Sequence, residues 1–283
     1  NRPLKLKNLL KVISKNTNKI SKIYFKIDGP RNLNDKKKIL EITKILRDFS
    51  SSKKIYTVIK KEKKNIGLQK NIIKGVDWVF KSEKKIIVLE DDTIPSNSFF
   101  NFCNFYLELF EKKENVMHIS GTNFVNNNNN NFYYSKFPDV VGWATWRNRW
   151  DKLVRNIDLN KLVKSKKVEK YYYNNKLVCE WFYMYLFREV ITYKGLWSTW
   201  WALTILINDG ISLNPTKNLV FHDGYDLKDN PEHFNKSYLI KKRYKLEDVR
   251  KLKYSKKDEL YNKKYDDKNF KLIKSVDPFF KRI

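Results

Sequence analysis

Cysteine is scarce in this chain. Only Cys103 and Cys179 occur, far apart and outside any CxxC spacing. That excludes a zinc ribbon and a disulfide framework, and it points to two buried thiols in a reducing compartment. Long apolar runs are missing as well. The best stretch, Trp200 to Ile207, falls short of the roughly 18 residues of a membrane span and breaks at Asn208, Asp209 and Gly210. No signal-peptide pattern is read at the start. The expectation is a soluble cytoplasmic protein, peripheral to a membrane at most. Acidic residues are in deficit: 31 Asp and Glu stand against 59 Lys and Arg, a net charge of +28. Such an excess points to an anionic partner, whether nucleic acid, a membrane surface or a phosphorylated small molecule. Coding sequence biased towards A and T would supply the same lysines and asparagines, and both explanations stay open at this point.

What is present is enough for a core. Of 283 residues, 41% are hydrophobic and 15% aromatic. The first part alternates strand-like and helix-like segments. Lys22 to Ile27, Lys54 to Ile59, Ile86 to Leu89 and Val116 to Ile119 read as strands. Ile39, Ile42, Leu46 and Phe49 share one helical face, and Leu68, Ile72, Val76 and Val79 another. Ser96 is placed to cap a helix carrying Phe99, Phe102 and Phe105. Strands separated by helices predict an α/β fold with a mixed, mostly parallel sheet. Leu4, Leu9, Leu10 and Ile13 fit a helix with no strand before it, which suggests a missing first strand. Six asparagines, Asn126 to Asn131, read as a surface loop. An aromatic-rich stretch follows, and from about Asn235 a basic tail reads as helical and solvated.

The third strand ends unusually. Ile86 to Pro95 reads IIVLEDDTIP, so four apolar residues run into Glu90, Asp91 and Asp92. Ligands of open α/β sheets gather beyond the carboxyl ends of strands. Carboxylates crowded there repel unless a cation sits among them, and magnesium or manganese prefers oxygen ligands. Such an ion bridges a diphosphate and stabilises its charge on leaving. The competing reading is a polar loop that caps the next helix. EDD by itself leaves both open.

A set of short motifs occurs in order: Asn1-Arg2-Pro3, IDGPR at Ile27 to Arg31, NIGL at Asn65 to Leu68, VLEDD at Val88 to Asp92, ISGTNF at Ile119 to Phe124, GWATWRNRW at Gly142 to Trp150, and NPTKNLV at Asn214 to Val220. Together they resemble the nucleotide-sugar glycosyltransferases of the GT-A fold, among them bacterial sugar transferases related to the N-acetylglucosaminyltransferase I group. The likeness covers roughly residues 1–235. It implies a Rossmann-like GT-A domain with a donor-binding half at 1–123, an acceptor-binding half at 124–235 and a basic tail at 236–283. It implies Mn2+ or Mg2+ held by Asp92, with His233 as a late ligand. Glu90 and Asp91 would lie against the donor sugar and ribose, Asp28 at the uracil or ribose, Arg2 at base or phosphate, and Asn65 and Gly67 along the donor pocket. An ordinary turn explains Asp28 or Asn65-Ile66-Gly67 equally well.

Trp143, Trp146 and Trp150 fall at helical spacing. Gly142 and Trp143 sit where the family's acceptor loop begins, and an indole ring covers the apolar face of a sugar well. A buried aromatic face is the alternative, and for Trp150 the preferred one. Related transferases carry a Trp-Asp pair whose aspartate is the proposed general base; here Ser198 stands at that position, in LWSTWWA, and serine is a poor base. Glu180 is the first substitute considered, with Asp223 and Asp226 as the others. His118, inside VMHIS, reads as a satisfied core residue. His222 and His233 flank a polar loop.

The expected function is transfer of a sugar from a nucleoside diphosphate, UDP in the first instance, to a glycan or lipid-linked glycan hydroxyl, with inversion. The basic tail would meet an anionic membrane face. Two alternatives remain: a non-catalytic carbohydrate-binding remnant, and a basic nucleic-acid-binding protein. Against the last, the charge is spread over the whole chain and no recognition motif is present.

Overall fold

The computed structural model describes residues 2–53, 55–123, 125, 131–192, 197–223, 245–249, 251–256, 260–277 and 280. Pro3, which has no amide hydrogen to lose, opens helix α1 (Pro3–Ser14). Leu6, Leu9, Leu10 and Ile13 form its buried face. Then come β1 (Lys22–Ile27), α2 (Leu33–Lys53), β2 (Tyr56–Lys61), α3 (Leu68–Val79) and β3 (Lys85–Val88). These match the alternation read from the sequence, with β2 starting at Tyr56 instead of Lys54. Next are β4 (Thr93–Pro95), α4 (Phe99–Leu109), β5 (Val116–Ser120), β6 (Phe132–Ser135) and β7 (Trp143–Trp146). The chain continues through α5 (Arg147–Trp150), α6 (Leu159–Lys164), α7 (Lys167–Tyr171), α8 (Lys176–Thr192), α9 (Trp197–Ile207), β8 (Ile211–Pro215), β9 (Val220–His222) and α10 (Lys263–Val276). Among the described residues no helix is long and apolar enough to cross a membrane.

The fold is mixed α/β, and the expectation of a mostly parallel sheet is corrected. β1 pairs with β2 in parallel, and β5 with β8. The β3–β7, β7–β5, β8–β6 and β4–β9 pairs are antiparallel. The main sheet has the order β3-β7-β5-β8-β6. Parallel neighbours need a long crossover, such as α2 between β1 and β2. β7 is reached from β6 through residues 136–142 without a helix, and it inserts antiparallel to both neighbours. β3 and β5 therefore run in the same direction. Trp143 pairs with Val88 on one side and Ser120 on the other, so the carboxyl ends of both strands meet at the start of β7.

Strand alternation divides the core. Ala144 and Trp146 enter one hydrophobic cluster with α1, α2 and α4 residues, while Trp143 enters the other, with Trp150, Trp197 and Trp201. The helical spacing read for the three tryptophans is thus corrected: Trp143 and Trp146 lie in a strand, and only Arg147–Trp150 is helical. The β5–β8 ladder shifts register between Val116 and His118, so Met117 and His118 both meet the tryptophan side. His118 is fully buried; its Nδ1 accepts from Trp201 Nε1 at 3.1 Å and its Nε2–H donates to the Asp139 carbonyl at 2.8 Å. Burial pushes its pKa down to about 4, so it is a neutral core residue.

Two further expectations change. α4 begins at Phe99, so Ser98 rather than Ser96 stands before it, and the Ser98 amide donates to Asp248 Oδ1 from the tail at 2.8 Å. The tail itself docks. Asp266 on α10 is 5% exposed and accepts from Ser135 Oγ, from the Lys136 amide at 2.9 Å and from Tyr261 at 2.7 Å. Phe270 joins the tryptophan-side cluster.

Gly142 marks a tight join near the strand ends. Its φ is +66, and a Cβ there would lie 2.8 Å from Val220 Cγ2 and 3.2 Å from Leu89 Cδ2. Gly142→Ala is expected to lower stability by about 2 kcal/mol, from the left-handed backbone and the overlap together. Urea denaturation measures this, and an unchanged midpoint would show that the loop yields freely.

Candidate functional site

Beyond β3 the chain turns sharply. Thr93 closes the turn by donating its amide and its hydroxyl to the Glu90 carbonyl, at 3.1 and 2.7 Å. β4 then pairs with β9, placing Thr93 opposite His222. This pairing brings a segment from late in the chain to the acidic turn. His222 Nε2 lies 3.5 Å from Asp92 Oδ2, and the Asp223 amide donates to the Asp92 carbonyl at 2.7 Å. The start of α1 closes the third side. Lys5 Nζ donates to the Asp223 carbonyl at 2.8 Å. Arg2, the residue before Pro3, spreads its guanidinium over two acids: NH1 donates to Asp92 Oδ2 at 2.7 Å, Nε to Asp91 Oδ2 at 3.3 Å, and NH2 to Asp91 Oδ1. Residues 2–5, 90–93 and 222–223 thus converge.

The electrostatics follow from this crowding. Burial, then the neighbouring charges of Asp92 and Asp91, push the Glu90 carboxyl up to about 7, against a smaller opposing pull from Arg2. Burial works against the Arg2 charge, yet its bonds to Asp91 and the charges of both aspartates hold its pKa above the ordinary value. Asp92 is 5% exposed, and its Oδ1 is buried without a hydrogen-bond partner. A buried, unpaired carboxylate oxygen is costly unless something satisfies it.

Asp28, Asn65 and Gly67 form a second group, at the loops that follow β1 and β2. Asp28 Oδ1 accepts from the Gly29 and Ile66 amides at 2.8 and 2.9 Å; its Oδ2 accepts from Asn65 Nδ2 and the Gly67 amide at 2.9 and 3.1 Å. A carboxylate has about four acceptor positions, and these bonds fill them. Asp28 therefore ties the two loops together, and the expectation that it accepts from a base or ribose is corrected. Gly67, at φ 81 and ψ 158, holds a conformation that only glycine adopts readily.

The remaining expected residues scatter. Trp143 is 1% exposed, stacked on Trp197 at 5.3 Å and on His118 at 5.4 Å. It has no free face for a sugar, so its acceptor role is corrected to core packing. Gly142 leaves no room for a side chain beside Val220 and Leu89. Glu180 lies exposed on α8, 3.8 Å from Lys176 one turn earlier. Ser198 sits half-buried in the first turn of α9. Of the three residues considered for the base, Asp223 is the one bonded into the acidic turn. Asp226 and His233 lie outside the described residues.

His222 and Lys5 were not among the expected site residues. The only local signal for His222 was its place beside Asp223 after an apolar strand. As a metal site the turn is incomplete: among the described residues, no three His, Cys, Asp or Glu side chains are grouped so as to hold an ion. The donors still suit a hard or borderline divalent ion, because the orphaned Asp92 oxygen and the nearby imidazole are two such ligands. No protein-family model matches the chain, and no curated protein matches it.

Proposed function

We propose that the chain is a metal-dependent glycosyltransferase of the GT-A kind. It would move a hexosyl or N-acetylhexosaminyl group from a nucleoside diphosphate, UDP in the first instance, to a hydroxyl of a glycan or lipid-linked glycan. The observation that carries this reading is Asp92: a buried carboxylate beyond the carboxyl end of β3, with one oxygen unpartnered. Asp92 and His222 would hold Mn2+ or Mg2+, which when bound neutralises charge on the diphosphate. Glu90 and Asp91 would accept from donor hydroxyls, and Arg2 would meet phosphate oxygens through its planar fork. Asp28 fixes the loop that presents Asn65. Asp223 is the base assigned to the acceptor hydroxyl, in an in-line displacement that inverts the anomeric carbon.

Calorimetric titration of UDP with and without Mn2+ tests the reading. Wild-type protein is expected to bind only with the metal, and Asp92→Asn to weaken that binding by about 100-fold. Absence of UDP binding under both conditions would overturn the donor assignment.

A further inference from the structure

Arg2 occupies the acids that a divalent ion needs. Its NH1 is 2.7 Å from Asp92 Oδ2, and its other nitrogens take both oxygens of Asp91. A guanidinium and a divalent cation on one buried carboxylate repel strongly, because little solvent screens them. Entry of the ion requires Arg2 to leave. The backbone is anchored: the Arg2 carbonyl accepts from the Leu6 amide at 3.1 Å, and the buried face of α1 follows at once. The side chain is 35% exposed and its release needs no change of fold. An arginine freed from two carboxylates finds its best replacement in a diphosphate, which accepts the same fork. The independent sign that Asp92 has capacity for a cation besides Arg2 is its second oxygen, buried and unpartnered.

We infer that Arg2 is the resident counter-ion of the acidic turn and that it couples the two ligands: the divalent ion displaces the guanidinium, and the diphosphate receives it. This rests on the donor-site reading above and adds a property to it. Ion and diphosphate bind with positive cooperativity, each tightening the other by the same factor.

Calorimetric titration of Mn2+ into wild type and Arg2→Gln, each with and without inorganic pyrophosphate, tests the inference. Arg2→Gln is expected to bind Mn2+ alone about tenfold more tightly than wild type, and to lose most of the further tightening that pyrophosphate gives wild type. Arg2→Lys, which reaches one carboxylate at a time, is expected to fall between them. It serves in place of Arg2→Gln if circular dichroism shows that variant unfolded. Equal or weaker Mn2+ binding by the variants, an undiminished pyrophosphate effect, or no Mn2+ binding by any form would overturn the inference. Failure of the donor reading looks different: Mn2+ and pyrophosphate behave as described while UDP shows no affinity beyond that of pyrophosphate.

Discussion

Trp143→Ala is expected to lower the unfolding free energy by about 4 kcal/mol, the largest effect of any single truncation considered. Trp143 is the point where two levels of structure meet. Its backbone pairs with Val88 and Ser120 and so fills the place between two parallel-running strands. Its ring is packed by His118, Trp150, Trp197 and Trp201, with centroids 5.4, 5.8, 5.3 and 6.1 Å away. Alanine removes the ring and leaves a cavity lined by large rigid rings, which close on empty space poorly. Guanidinium denaturation followed by tryptophan fluorescence and circular dichroism measures the loss. A loss below about 1 kcal/mol, the scale of a surface change, would show that this ring is not at the centre of the aromatic core.

Glu90→Gln is expected to change the pH dependence of stability in metal-free buffer. The Glu90 carboxyl is raised from 4.5 to about 7 in the folded chain. Below about pH 4.5 it is protonated in both folded and unfolded chains and causes no penalty. Between about 4.5 and 7 the folded chain keeps the proton that the unfolded chain releases, so stability falls as the pH rises. Above 7 the buried charge opposes folding in full. Glutamine removes that charge. At pH 8 the variant is expected to exceed wild type by on the order of 2 kcal/mol, with no difference near pH 4. Denaturation midpoints across pH 4 to 8, with a chelator present, give the comparison. Parallel curves would show that Glu90 is solvated as an ordinary carboxylate.

The candidate site was half visible in the sequence. Glu90, Asp91 and Asp92 announce themselves because three carboxylates directly follow an apolar run. Arg2 and Asp28 came only from the family likeness. Asp28 bonds to Asn65 and Gly67, so its acceptor positions are taken by the protein instead of a nucleoside. The acceptor assignment of Trp143 failed for a physical reason. An indole is equally good at covering a sugar and at filling a core, and spacing does not separate the two. The same ambiguity hid β7, because tryptophans three and four residues apart fit a helix while the chain runs as a strand through the first two.

By itself the sequence determined the local structure of the first half: apolar periodicity places α1 to α4 and β1 to β3, and the stop after Leu89 places the acids at a strand end. It also determined that there is no disulfide framework, from two cysteines, both of which are buried and free. Tertiary structure alone decided the rest. Antiparallel insertion of β7 depends on which strands meet, and a strand's alternation is the same in either direction. The docking of α10 depends on Asp266 finding Ser135 and Tyr261, in a tail whose composition reads as solvated. The partnership of Arg2, Asp92 and His222 joins residues far apart in the sequence. Local pattern reports what a residue prefers, and only the closed fold brings these three side chains together.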